Sequence, residues 1–176
     1  TLKEWHHQGY SDLSISVNIA PQQFQSDNFL TDVRSILEEV DLEPQYLELE
    51  ITERATMENL GHTIELLQDL KELGVQISID DFGTGYSSLS YLKEFAIDTL
   101  KIDKSFVTEL TTKGQNNAIA ETIVNMAHNL KLNVTAEGVE NKTQVEFLKH
   151  KNCDKLQGNF FSPAVPQIEI EDLLTK

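Results

Sequence analysis

The sequence predicts an α/β fold built from repeated βα units around a parallel sheet. Two observations carry the prediction. Short β-rich runs alternate with amphipathic stretches of helical spacing, one unit about every 30 residues. Most of the β-rich runs are apolar over several consecutive residues, as strands covered on both faces by crossover helices are. Parallel units of this kind need right-handed crossovers, and two architectures satisfy them: an open doubly wound sheet or part of a (β/α)8 barrel. The chain has 176 residues, enough for one domain with a sizeable core. A complete barrel takes about 200 to 250 residues.

The elements follow in order. Trp5 lies in a helical lead-in. Strand candidates are Leu13–Ala20, Tyr46–Thr52, Val75–Phe82, Asp98–Asp103, Asn133–Glu137 and, more weakly, Lys155–Phe160. After Asp27, the residues Phe29, Leu30, Val33, Ile36, Leu37 and Val40 form one helical stripe. Leu60, Ile64, Leu67, Leu70 and Leu73 form a second, stopped by Gly74. Ser87 or Ser88 is placed to cap a short helix through Leu92. Ile119, Ile123, Met126, Ala127 and Leu130 make a fourth helix, Asn141 caps a fifth carrying Val145 and Leu148, and Ile168–Leu174 reads as the last. No linker-like stretch divides residues 1–176, and no sequence repeat lies beneath the βα period.

Composition narrows the function classes. Hydrophobic residues make 39% and charged residues 24%, with 8 Gly and 4 Pro, which excludes a disordered or collagen-like chain. No apolar run approaches the roughly 20 residues of a membrane span. The single cysteine, Cys153, excludes a disulfide framework and a cysteine-rich zinc site, and fits a reduced, cytoplasmic setting. There is no signal-peptide pattern, and a start at Thr1 suggests part of a longer protein, with any membrane anchor in a segment outside this chain. A net charge of −15 argues against a nucleic-acid polymer or an anionic membrane as partner. It leaves open a phosphate-bearing substrate reached through divalent cations.

Position singles out a few of the acidic residues. Asn18, Glu50, the pair Asp80 and Asp81, Lys101 with Asp103, and Glu137 all lie at or near the C-terminal ends of strand candidates, and Gln157 sits in the last one. In a parallel sheet those ends share the face where α/β enzymes build their sites. Any one of these residues alone reads as a cap or a loop start; six strands doing so together points to a site. Asn18, Glu50, Asp80, Asp81 and Glu137 offer only oxygen, which favours Mg²⁺ or Mn²⁺ (or Ca²⁺) over zinc. An adjacent Asp pair suits two ions with one bridging carboxylate, the arrangement of two-metal phosphoester cleavage. Lys101 would add a fixed positive charge or orient the attacking water. The competing reading of the pair is one ligand and one cap, since strand residues alternate in direction.

Other signals are weaker. Gly83-Thr84-Gly85 lacks the remaining residues of a phosphate-binding loop and reads better as a flexible loop carrying Asp81. The histidines lack ligand spacing and read as surface residues, and no Gly-x-Ser-x-Gly elbow or Cys–His arrangement is present.

Six ordered segments are Ser16-Val17-Asn18, Glu48-Leu49-Glu50-Ile51-Thr52-Glu53, Asp80-Asp81-Phe82-Gly83-Thr84-Gly85-Tyr86-Ser87-Ser88-Leu89, Leu100-Lys101-Ile102-Asp103-Lys104-Ser105-Phe106-Val107, Ala136-Glu137-Gly138-Val139-Glu140 and Gln157-Gly158. Together they resemble the motifs of the bacterial EAL family of cyclic-di-GMP-specific phosphodiesterases. The resemblance spans essentially the whole chain. It implies a (β/α)8 TIM-barrel-like fold with one antiparallel strand, of which about six of the eight βα units are present here. It implies that Asn18, Glu50 and Asp80 bind a first Mg²⁺ or Mn²⁺, that Asp80 and Asp81 bind a second with Glu137 nearby, and that Lys101 positions or deprotonates the attacking water. Glu53 would hold the loop after Phe82, and Gln157 would line the substrate site. The implied reaction converts cyclic-di-GMP to linear pGpG. The implied partners are a second copy in a homodimer and an upstream sensor or GGDEF domain.

Three departures stand out. The Glu-Ala-Leu tripeptide, whose Glu would be a ligand, is absent, and its strand would precede Thr1, making residues 1–176 a partial domain. Asn159 stands where the family usually has Tyr. Pro163-Ala164 replaces the usual Lys-Pro after Ser162. An inactive cyclic-di-GMP receptor is therefore the alternative function. Setting the resemblance aside, an open-sheet phosphatase or nucleotide-binding domain is a third.

Overall fold

The computed structural model describes residues 1–85, 89–108, 110 and 116–174. Six strands form one sheet in the order β1 (Ile15–Ile19), β2 (Leu47–Thr52), β3 (Gln76–Phe82), β4 (Thr99–Ile102), β5 (Asn133–Ala136) and β6 (Lys155–Leu156). Every neighbouring pair is parallel. Helix α1 (Leu2–His7) precedes β1. Helices α2 (Pro21–Phe24) and α3 (Phe29–Val40) connect β1 to β2, and α4 (Glu53–Met57) and α5 (Leu60–Leu73) connect β2 to β3. The later connections carry α6 (Leu89–Leu92), then α7 (Lys104–Thr108) with α8 (Asn116–Asn129), then α9 (Lys142–His150). Helix α10 (Gln167–Leu174) ends the described chain.

Local chemistry sets the helix ends. The Asn59 side chain accepts from the His62 N–H to open α5, and Gly74, at φ +101°, ends it in the left-handed region. Asn141 and Gln144 exchange side-chain and backbone hydrogen bonds at the start of α9, and Gln144 Nε2 also donates to the Val107 carbonyl in the interior. The expected cap at Ser87 or Ser88 lies outside the described residues. Helices α2, α4 and α7 were not expected; each is four or five residues long, too short to show a helical period.

The strands correct the expectation of continuous apolar runs. Leu47-Glu48-Leu49-Glu50-Ile51-Thr52 alternates strictly, and the register carries that alternation through the sheet. On one face lie Leu49, Ile51, Ile77, Ile79, Leu100, Ile102, Val134 and Ala136, all at 2% exposure or less and packed against the helices. Fully burying such aliphatic side chains stabilises the fold by about 1.5–3 kcal/mol each. On the other face lie Glu48, Glu50, Ser78, Thr99, Lys101 and Thr135, also buried. Both faces are covered, as expected, but the inner one is polar.

The polar face is concave. Glu48 on β2 and Lys155 on β6 form an ion pair at 3.8 Å across four intervening strand spacings. In a flat sheet those strands would stand roughly 19 Å apart. The sheet is therefore curled into a half-barrel with the polar residues inside. Its β1 edge is open: Ile15 and Val17 are 43% and 40% exposed, beside an apolar groove shared with α3 residues such as Phe29 and Val33.

The end of the sheet opposite the site is fastened twice in the same way. Asp98, before β4, accepts from the Ile77 N–H of β3 and from Lys71 in the last turn of α5. Asp154, before β6, accepts from the Val134 N–H of β5 and pairs with His128 in the last turn of α8. Each aspartate closes one βα unit onto the next strand. Cys153 lies beside the second of these, its thiol pushed up to about 11 by burial.

Candidate functional site

The strand ends bring three of the expected residues together around the expected lysine. Lys101, on the inner face of β4, is 3% exposed. Its Nζ lies 2.5 Å from Glu50 on β2, 2.5 Å from Glu137 just after β5, and 3.6 Å from Asp80 on β3. Glu50, Asp80 and Glu137 offer carboxylate oxygens that all lie within 4.8 Å of one another. Period-two alternation delivers them: Glu50 and Asp80 occupy inward positions of β2 and β3, Glu137 lies just past β5 two residues beyond the inward Thr135, and parallel pairing aligns the ends.

A bulge in β3 separates the two adjacent aspartates. Ile79 pairs with Leu100 and Phe82 with Ile102, so Asp80 and Asp81 both stand opposite Lys101. Asp81 takes the left-handed conformation at φ +55°, and its backbone N–H donates to its neighbour's Asp80 Oδ1. Asp80 joins the carboxylate cluster. Asp81 is exposed and its carboxyl meets Asp103, two residues beyond Lys101. The extra residue in the ladder thus leaves Asp80 in the carboxylate cluster and Asp81 beside Asp103. Asp103 had been noted at its strand end without a role; its same-face spacing from Lys101 was the available signal.

Glu53 reaches the loop after β3. This carboxylate, 3% exposed, accepts from the Gly83 N–H at 2.9 Å and from the Gly85 N–H at 3.4 Å. The glycine-rich loop therefore turns its amides to a carboxylate of its own chain. A Cβ at Gly85 would come within 2.7 Å of Glu53 Oε1, so a side chain there would push the carboxylate out of its place. Thr52, Arg54, Met57, Asp81 and Thr84 line a cavity of about 700 Å³ beside that loop. Asn18 sits on the edge strand in register with Glu50 and is exposed. Gln157 is exposed just beyond β6, its backbone bonded to Ala136 and Val139. His6, expected at the surface, is half-buried, its Nε2 2.8 Å from the Leu13 carbonyl.

The electrostatics follow from crowding. Burial works against the charge on Lys101, but hydrogen bonds and Coulomb attraction from Glu137, Glu50 and Asp80 hold its pKa well above the ordinary lysine range. Burial raises the Glu137 pKa, and the like charges of Asp80 and Glu50 add to it, outweighing the pairing with Lys101. Asp81 is likewise raised by burial and by the neighbouring Asp80 and Asp103. Burial opposes the charge on Asp103 too, yet its bonds to Ser105 and Asp81 lower its pKa. Carboxylates held this close demand positive charge, and Lys101 supplies one unit of it. The donor set is hard oxygen arranged about a cation position, which fits Mg²⁺ or Mn²⁺.

The family described as the EAL domain matches residues 1–164. The signaling protein YkoW of Bacillus subtilis is 49% identical over 97% of this chain and 21% of its own length. A solved structure, the c-di-GMP complex of the PaMucR phosphodiesterase, is 40% identical with a TM-score of 0.92, covering 96% of this chain and 68% of that one. The manganese and cy-diGMP complex of Klebsiella pneumoniae BlrP1 is 27% identical with a TM-score of 0.80, covering 90% of this chain and 41% of that one. The chain spans about a fifth of the length of the curated relatives it matches. With that family matched over residues 1–164 and the fold shared with a solved relative at 40% identity, the chain belongs to the EAL domain family.

Proposed function

We propose that this chain forms the greater part of a metal-dependent phosphodiesterase that hydrolyses cyclic-di-GMP to linear pGpG. The observation that carries the reading is the convergence of Glu50, Asp80 and Glu137 on Lys101 at the strand ends. Asn18, Glu50 and Asp80 would hold one Mg²⁺ or Mn²⁺, and Asp80 with Asp81 a second, while Glu137, its carboxylate oxygen within 4.8 Å of those of Glu50 and Asp80, would join them at the first. Bound there, divalent ions neutralise phosphate charge and make water a better nucleophile. The chain's own residues do the rest. Lys101, held charged, donates hydrogen bonds that orient the attacking water and the phosphate. Glu53 fixes the loop that carries Asp81, and Gln157 lines the substrate's side of the rim. A bond forms between the water oxygen and phosphorus as the bond to one ribose 3′ oxygen breaks. A water proton ends on that oxygen, leaving a 5′-phosphate and a 3′-hydroxyl.

A second copy, and an upstream sensor or GGDEF domain, are the proposed partners, in the cytoplasm. Among the described residues no helix is long and apolar enough to cross a membrane. A receptor that binds cyclic-di-GMP without cleaving it is the second reading, favoured by Asn159 and Pro163-Ala164 at the rim. The test is to incubate the full natural polypeptide carrying residues 1–176 with cyclic-di-GMP and Mn²⁺ and separate the products by chromatography. Appearance of pGpG supports the enzyme. Intact cyclic-di-GMP, bound by folded protein, replaces it with the receptor.

A further inference from the structure

We infer that Lys101 is a built-in competitor for the divalent ion, so that metal binding at Glu50, Asp80 and Glu137 and release of the Lys101 ammonium toward the substrate are a single event. The inference rests on the proposed metal-dependent reading and adds to it a control on metal affinity.

Geometry carries it. Three oxygens no more than 4.8 Å apart enclose one central place, about 2.8 Å or less from each, the scale of metal–oxygen or ammonium–oxygen contact. The Lys101 ammonium contacts all three carboxylates, two of them at 2.5 Å. At 3% exposure it has little water to turn to and no other anion at comparable distance among its recorded pairs. A divalent ion needs the same oxygens, and it repels the ammonium besides. Three carboxylates and one ammonium leave two negative charges, which one divalent ion cancels. The set is therefore neutral only when the ion is bound and the lysine is retained nearby. An ammonium displaced within this site remains at the strand ends, where its charge can meet a phosphate. Lys101 then serves in turn as counter-ion to the carboxylates and as partner to the substrate.

The opposite role for the same contacts is structural, with Lys101 drawing the carboxylates into ligand geometry. The two roles differ in sign. Removing a competitor tightens metal binding, whereas removing a positioning residue weakens it.

The experiment is calorimetric titration of Mn²⁺ into the full natural polypeptide, as wild type, Lys101→Met and Asp80→Asn. The heat that Asp80→Asn removes belongs to this site. Lys101→Met is expected to bind Mn²⁺ at least about tenfold more tightly at that site, and equal or weaker binding overturns the inference. Wild-type binding indifferent to Asp80→Asn would instead sink the metal-site reading beneath it. A second measurement needs no variant. In wild type labelled with ¹⁵N-lysine, the Lys101 ammonium resonance is expected to shift or vanish on saturation with diamagnetic Mg²⁺. A resonance that Mg²⁺ leaves unchanged overturns the inference even if Lys101→Met does not fold.

Discussion

Replacing Glu53 by glutamine keeps the shape of the side chain and removes its charge from the loop after β3. In the native chain one buried carboxylate oxygen accepts from the Gly83 N–H at 2.9 Å and, less closely, from the Gly85 N–H at 3.4 Å. A hydrogen bond to a charged acceptor contributes about 1.5–3 kcal/mol, a neutral one about 0.5–1.5. The Gly83 bond dominates because it is shorter, so Glu53→Gln should loosen the loop by about 1.4 kcal/mol, a factor of ten in its opening equilibrium. Native-state amide hydrogen exchange reads this directly. The Gly83 and Gly85 amides should exchange about tenfold faster, while Leu67 and Leu70 in α5 keep their wild-type rates. Unchanged exchange at both glycines would show that the loop is held by something other than the Glu53 charge.

Three more outcomes follow from the same contacts. Asp80→Asn removes an anionic oxygen from the carboxylate cluster and should abolish cyclic-di-GMP hydrolysis, and undiminished turnover in a chromatographic assay would sink the ion-bridging role. Gly158→Ala would place a Cβ 2.3 Å from the backbone N and O of Val139. Overpacking against backbone of about 3 kcal/mol predicts a Tm lower by about 6–12 °C by calorimetry. Burial opposes the charge on Asp154, but its bonds to His128 and the Val134 N–H hold its pKa below the ordinary aspartate value. A depressed folded-state pKa stabilises the fold above the unfolded-state value, 3.8, and that stability is lost as pH falls through the folded value. Asp154→Asn should therefore lower stability at pH 7 and flatten its decline below about pH 4, read by urea unfolding across that range.

Strand order, helix boundaries and most of the polar cluster were legible in the sequence because parallel βα units leave strong local marks. Asn59, Gly74 and Asn141 punctuate helices, and each strand brings its polar residue to the same end. What was not legible depends on contacts distant in sequence. The curl of the sheet shows in Glu48 meeting Lys155, and no local pattern announces that pair. The bulge at Asp80-Asp81 exists only in the register with β4. The expected strand Lys155–Phe160 shortens to Lys155–Leu156 because the chain turns at Gly158 against the Val139 backbone. The apolar-run reading failed where a polar interior mattered most, since Glu48, Glu50 and Lys101 are buried on the inner face of the strands, Glu50 and Lys101 paired with each other.

The most direct test of the metal-site claim is a crystal of the natural polypeptide soaked in Mn²⁺, with data collected at the manganese absorption edge. The account predicts an anomalous peak among the carboxylates of Glu50, Asp80 and Glu137, within bonding distance of their oxygens. A folded crystal with cyclic-di-GMP on the strand ends and no anomalous peak among those carboxylates would contradict it.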